Sequence, residues 1–368
     1  MLRAGLVGLS STGKTTLFQL LTSAHGAPRP GQRAEANVGV SRVPDERLDR
    51  LSALFNPRKR MPATVEFADL AATRAGTAES LLDVAPFRNA DALVHVLRLF
   101  RDEAVPHPKG SIDPARDARA MEEEMILADL GVAERRLERL EKDLKKSASA
   151  ELKKEQEILV RCRAALEAGQ SLRALELAPD EAKRLRGFQF LSAKPLLLVL
   201  NVDEDDFGPA KAGHDNPSGH DNQSPVASGF SRTDNTREVT VCAKIELEIA
   251  QLDAADAAAF LADLGLAESG LDRVIRASYD LLGYLSFFTV GEDECRAWSI
   301  PRGTPAQLAA GEIHSDIARG FIRAEVARYG DVIARGSIAD CRDHGELRLE
   351  GKDYVVQDGD VINFRFAT

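Results

Sequence analysis

The chain has 368 residues, 44% hydrophobic and 29% charged, which suits a folded globular protein and excludes a disordered one. A net charge of −10 argues against a general polyanion binder, so no DNA partner is expected, while a local basic patch for RNA stays open. No apolar run reaches the length of a membrane span, and Cys162, Cys242, Cys295 and Cys341 lie too far apart for a zinc pair or a disulfide framework; a reducing, cytoplasmic setting without membrane insertion is expected.

The first element, RAGLVGL (3–9), reads as a buried strand. It runs into Gly8-Leu9-Ser10-Ser11-Thr12-Gly13-Lys14-Thr15, a GxxxxGK[ST] motif, and then into the helical stretch KTTLFQLLTSA. Strand, glycine-rich turn and helix in that order are what phosphate binding requires. Glycines let the backbone turn tightly so that its N–H groups converge on a phosphate, and the helix N-terminus adds partial positive charge. Lys14 reaches the β- and γ-phosphates, and the Thr15 hydroxyl ligates Mg²⁺. The expected phosphate set is Gly8, Ser11, Thr12, Gly13, Lys14, Thr15 and Thr16. The next strand, ATVEFADL (63–70), places Asp69 where P-loop proteins hold Mg²⁺, usually through water. ALVHVLRL (92–99) is a further strand.

Residues 114–187 change texture. Leu130, Leu137 and Leu144 recur every seventh residue, and so do Leu152, Leu159 and Leu166 after the break KKSASA (145–150). Two helices with narrow apolar seams should fold back as an antiparallel coiled-coil arm, its charges forming a solvated face or meeting a partner. PLLLVLNV (195–202) and EVTVCA (238–243) resume the strand pattern. Between them, residues 205–236 are rich in Gly, Pro, Ser, Asn and Asp and predict an exposed, disordered insertion; its His214 and His220 have no fixed geometry for a metal. From 286 onward, short strands and turns surround one helical stretch, HSDIARGFIRAEVARYGDVIARG, as a small α+β module. Apolar strands separated by helices predict an α/β fold with a mostly parallel sheet.

Several stretches resemble the YchF family, the Obg-like ATPases, nearly end to end. They are GLSSTGKTTLFQLLT, ANVGVSRVPDERLDRL, EFADLA, KPLLLVLNVDEDD, VCAKIELEIAQL, GLDRVIRASYDLLGYLSFFTVGEDECRAWSI and GELRLEGKDYVVQDGDVINFRF. The resemblance implies a P-loop G domain of residues 1–113 and 188–285, an inserted helical arm at 114–187 and a C-terminal TGS domain of β-grasp type at 286–368. It also implies ATP as the substrate in preference to GTP, and a ribosome or RNA partner.

The base-reading motif is Asn201-Val202-Asp203-Glu204, where guanine readers carry Asn-Lys-x-Asp. A guanine-reading Asp accepts from N1–H and the 2-amino group together, and adenine offers neither, so a site built for one rejects the other by up to ~10⁴-fold. Glu204 is longer and cannot form the same fork, which weakens guanine reading without creating adenine reading. The resemblance supplies the adenine preference and places Asn201, Val202, Glu204, Ala243 and Lys244 at the base.

Three departures bear on hydrolysis. The family's Mg²⁺-ligating switch Thr aligns with Arg33, the Gly of D-x-x-G is Ala72, and Thr73 follows where classical GTPases carry a water-orienting Gln. Lys14 and Thr73 are therefore the candidate catalytic residues, and turnover without a partner should be slow. Arg29, Arg33 and Arg74 flank the switches as surface residues or internal arginine fingers. The alternatives are a catalytically impaired nucleotide-binding scaffold, a GTP-binding protein, and, with least support, a small-molecule kinase.

Overall fold

The computed structural model describes residues 3–23, 37–69, 85–147, 149–208 and 236–367. The expectations placed on Arg29, Arg33, Ala72, Thr73, Arg74, His214 and His220 lie outside the described residues. In chain order the strands are β1 (Arg3–Val7), β2 (Asn37–Arg42), β3 (Lys59–Met61), β4 (Thr64–Asp69), β5 (Ala92–Arg98), β6 (Leu196–Asn201), β7 (Thr236–Val241), β8 (Tyr284–Thr289), β9 (Glu294–Pro301), β10 (Phe321–Arg328), β11 (Arg348–Glu350) and β12 (Asp360–Phe366). The helices are α1 (Lys14–Ser23), α2 (Glu46–Phe55), α3 (Pro114–Lys146), α4 (Ala150–Glu167), α5 (Pro179–Leu185), α6 (Ala243–Ile249), α7 (Ala254–Asp263), α8 (Gly270–Leu281), α9 (Ala306–Ile313), α10 (Ser315–Arg319), α11 (Tyr329–Arg335) and α12 (Ile338–Asp343). The chain divides into two compact units, 1–39 with 66–281 and 40–65 with 282–368.

Most of the expected parallel sheet lies in the first unit. Its order is β2-β4-β1-β5-β6-β7, and β1 pairs in parallel with β4 and β5, β5 with β6, and β6 with β7. Every residue of β5 and β6 is buried, as continuous apolar strands covered on both faces require. On one face Leu93, Leu97, Leu198 and Leu200 pack against Ala118, Met121 and Met125 of α3. α3 starts where Pro114 takes the first turn and the Asp113 carboxylate accepts from the Arg116 amide at 2.9 Å.

The arm is a helix hairpin, as the leucine spacing predicts. Ile126, Ala133, Leu137 and Leu140 of α3 bury against Ile158, Leu159, Cys162 and Leu166 of α4. Each such leucine contributes roughly 2 kcal/mol by leaving water. Arg136 reaches across to Glu155 with two bonds of 2.7 and 2.9 Å. The seam is not the strict heptad: Leu130 is only partly buried and Leu144 half-buried, because a straight helix drifts from a seven-residue repeat.

The second unit is built on a sheet ordered β11-β10-β12-β8-β9-β3. Its core includes Phe287, Ile300, Val326, Ile362 and Phe364. Three expectations need correction here. Residues 40–65, read as part of the nucleotide domain, belong to this unit. β3 adds to the sheet in parallel beside β9, and Arg47 of α2 donates to Asp358 at 2.7 Å while its guanidinium lies 5.2 Å from the Phe288 ring centre. Three exposed residues, Lys59–Met61, carry that strand, too few for a periodicity to show. The unit also begins at Leu282 rather than 286. The supposed single helix at 314–336 is α10, then β10, then α11. Gly320 ends the first turn, and FIRAEVAR pairs antiparallel with both β11 and β12.

The proposed insertion starts later than read. Phe207 is buried with Val202, Cys242 and Ile245, and Arg273 lies 5.9 Å from its ring centre. Its aromatic ring closes the cluster beneath α7, a role hidden by the polar residues that follow it. Residues 209–235 are outside the described residues, and β7 begins at Thr236.

Candidate nucleotide-binding site

The phosphate loop leaves the sheet at the end of β1. Val7 is the register partner of His95, and Gly8 turns at φ +142° with no room above it: a Cβ would lie 2.5 Å from the Val96 carbonyl oxygen. Ser11 adopts φ +63°, and Gly13 adopts φ +91° where a Cβ would lie 2.5 Å from Asn201 Nδ2. α1 then starts at Lys14, with the Leu17 amide bonded to Gly13 O at 2.8 Å. The amides at the head of α1 lie ahead of the intrahelical ladder and are available to an anion. The Lys14 ammonium donates to Leu9 O at 2.5 Å, and the Thr12 hydroxyl donates to the same oxygen at 3.1 Å. Burial lowers the Lys14 pKa, and the nearby Asp69 carboxylate opposes that shift. Ser11 and Thr15 are exposed, Thr16 half-buried.

Thr15 and Asp69, 54 residues apart, are brought together: the Thr15 hydroxyl donates to Asp69 Oδ2 at 3.2 Å. Parallel pairing does this, because Leu6 and Asp69 are register partners at the strand ends. A hydroxyl and a carboxylate beside a phosphate loop are hard oxygen donors of the kind Mg²⁺ takes together with phosphate oxygens, so the residues present fit that ion.

The base-reading segment starts at the last residue of β6. The Asn201 side chain, 4% exposed, donates from Nδ2 to Thr12 O at 3.1 Å and accepts from the Ala243 amide at 3.0 Å. It braces the phosphate loop against the start of α6. Val202 is buried in the Phe207 cluster, so its side chain is used in packing. Asp203 accepts from the Arg101 amide through both oxygens at 3.1 Å. Glu204 pairs with Lys244, Oε1 to Nζ 2.8 Å, on the exposed side, and this bond raises the Lys244 pKa. Ala243 is buried below them.

Sequence reasoning passed over three buried polar residues near these elements. His95 is 1% exposed, and neither ring nitrogen has a hydrogen-bond partner among the described residues. Burial, and then the charge of Lys14, push its pKa down to about 3, so the ring is neutral. Its signal was a lone imidazole in the apolar run ALVHVLRL. Arg98 closes the same strand. Glu246 of α6 is 1% exposed and accepts from the Gly270 amide at 2.6 Å, tying α6 to the start of α8.

Burial raises the Glu246 carboxyl to about 7, the Gly270 bond opposing it. The folded chain therefore holds a proton that the unfolded chain releases near its ordinary value. That contribution is complete below about pH 4.5 and is lost as pH rises to about 7. Glu246→Gln keeps an acceptor for Gly270 and removes the titration. Its unfolding free energy is expected to change less between pH 5 and 7 than that of the wild type. By pH 8 the variant is the more stable, by roughly 2–3 kcal/mol. Urea unfolding across that range measures it; parallel pH profiles would contradict it.

A family model described as YchF-GTPase_C, a protein of unknown function (DUF933), matches residues 284–367. The chain is 42% identical to the "Ribosome-binding ATPase YchF" of Bacillus subtilis (strain 168) over 371 residues, covering 99% of each chain. It is 39% identical to the protein of that name from Escherichia coli O157:H7, again over 99% of each. A solved structure described as "Structure of the Schizosaccharomyces pombe YchF GTPase" matches with a TM-score of 0.85 at 28% identity, covering 99% of this chain and 97% of that one. Full-length relatives at this identity, on top of the phosphate loop and the C-terminal match, show that the chain belongs to the YchF family.

Proposed function

We propose that this protein is a cytoplasmic, Mg²⁺-dependent ATPase of low intrinsic turnover, a nucleotide switch whose helical arm and C-terminal TGS-type domain meet the ribosome. The observation that carries the reading is the Thr15–Asp69 pair at 3.2 Å beside the Lys14 phosphate loop. Thr15 and Asp69 would hold Mg²⁺, which when bound neutralises charge developing on the phosphates. The chain's own residues do the rest. Loop amides and the Lys14 ammonium bind and orient the phosphates, and Asn201 fixes the loop in the conformation that presents them. Guanine is disfavoured because the Glu204 carboxylate is turned to Lys244, so guanine's N1–H and 2-amino group would have to displace a bound cation; the preference for adenine itself is what the family resemblance implies. The bacterial relatives are named for ATP and the ribosome, while the yeast structure is named a GTPase, so the base is the point to test. The proposed nucleotide domain is 1–39, 66–113 and 188–281, with 40–65 and the residues from 282 onward in the C-terminal unit.

Titration calorimetry with ATP and with GTP, each with Mg²⁺, is expected to show ATP bound at least tenfold more tightly. Hydrolysis of ATP is expected to be slow alone and faster with ribosomes. A wide preference for GTP, or no response to either nucleotide, overturns the reading. ATP binding with no hydrolysis under any condition selects the scaffold, which Arg33 and Ala72 in the sequence favour.

A further inference from the structure

Arg98 is the last residue of β5 and is only 2% exposed. A buried guanidinium normally finds a carboxylate, because an isolated charge is costly to remove from water. Arg98 finds none among the described residues; its acceptors are main-chain carbonyls. Nε donates to Phe100 O at 3.1 Å, Nη2 to Asp102 O at 3.2 Å, and Nη1 to Val105 O at 2.7 Å and Ser11 O at 3.4 Å. The same group lies 4.4 Å from the Phe100 ring centre. The first three bonds wrap the 100–105 turn around the cation. The last reaches into the phosphate loop, to the residue that adopts a left-handed conformation without being glycine.

Its register completes the picture. Arg98 and Asn201 are Cα partners on adjacent strands, and they hold consecutive loop carbonyls, Ser11 O and Thr12 O. A carbonyl pinned on one side of a peptide plane leaves the N–H on the other. Two consecutive carbonyls drawn toward the sheet therefore leave the following amides, of Thr12 and Gly13, turned away from it. The cation adds a fixed positive charge behind the loop, and no carboxylate among the described residues pairs with it.

We infer that Arg98 is a positioning residue for the polyphosphate of the bound nucleotide. It acts through Ser11 to set the direction of the loop amides and holds a positive charge behind them. This rests on the nucleotide reading above. It makes the 100–105 turn part of the phosphate site, although none of that turn belongs to the sequence motif.

The test compares wild type, Arg98→Lys and Arg98→Met by calorimetry with Mg·ATP and Mg·ADP at two salt concentrations, with thermal unfolding measured without nucleotide. Arg98→Met is expected to weaken both nucleotides by 10- to 30-fold and to flatten the salt dependence of binding, the mark of a lost charge. Arg98→Lys keeps the charge with fewer bonds and is expected to lose only three- to fivefold, with the salt dependence retained. A change confined to the unfolding temperature, with nucleotide affinity within twofold of wild type, overturns the inference. So do equal losses in the Lys and Met variants, which would make packing the whole effect. If the Met variant does not fold, Arg98→Lys decides: unchanged affinity in it overturns the inference, and a three- to fivefold loss in a chain of unchanged unfolding temperature supports it. Failure of the wild type itself to bind ATP would instead overturn the proposed function.

Discussion

Lys14→Met is expected to lose nucleotide binding by roughly 100-fold or more while keeping the nucleotide-free fold intact. The two halves of this result have different causes. A lysine ammonium on phosphate makes charge-assisted bonds of about 1.5–3 kcal/mol each, and two phosphates share it, so about 3 kcal/mol or more is at stake. Without nucleotide, the same ammonium contributes little to the fold. Burial lowers its pKa, its donor is turned back on Leu9 O of its own loop, and only Asp69 offsets the desolvation. Methionine keeps the aliphatic stem and removes the charge that the fold disfavours. Calorimetry with Mg·ATP and a thermal melt of the free protein check the two halves separately. Retained affinity would remove Lys14 from the site, and a large drop in the melting temperature would mean that its role is structural.

How much of this site the sequence discloses depends on how far apart its parts lie. The phosphate loop is legible because strand, turn and helix are contiguous, and each glycine answers a local demand. Asp69 is legible as a strand end, and its meeting with Thr15 follows once parallel pairing is assumed. The bracing of the loop is not legible. Asn201 and Thr12 stand 189 residues apart, and Arg98 and Ser11 stand 87 apart. No periodicity encodes those meetings; the strand register does. The same limit explains Asn201, whose place in a base-reading motif directs attention to the base while its side chain is spent on backbone. In the second unit, β3 has three exposed residues and β10 carries charged residues among its apolar ones, so local pattern gives no strand signal in one case and favours a helix in the other. Both are settled by neighbours in the sheet, which a linear pattern does not contain.

Gly13→Ala follows from that bracing and should combine two penalties. Alanine at φ +91° occupies a strained region, at a cost of about 1–3 kcal/mol. Its Cβ would also fall 2.5 Å from Asn201 Nδ2, closer than any real contact. The carboxamide cannot swing aside freely, because it is buried and bonded to Thr12 O and Ala243 N, and each of those bonds is worth about 1 kcal/mol. Moving it also releases the loop from the start of α6. Together the losses come to roughly 3–4 kcal/mol, enough to lower the melting temperature by roughly 4–5 °C in a chain of this size. The part due to the clash is separable. In an Asn201→Ala background the carboxamide is gone, and only the backbone strain of the Gly13→Ala change remains. The double variant should therefore be more stable than the sum of the two single effects predicts, by about 1–2 kcal/mol. A cycle that closes to zero would show that the two residues do not press on each other, and that the loop is held by its own turn rather than by the neighbouring strand.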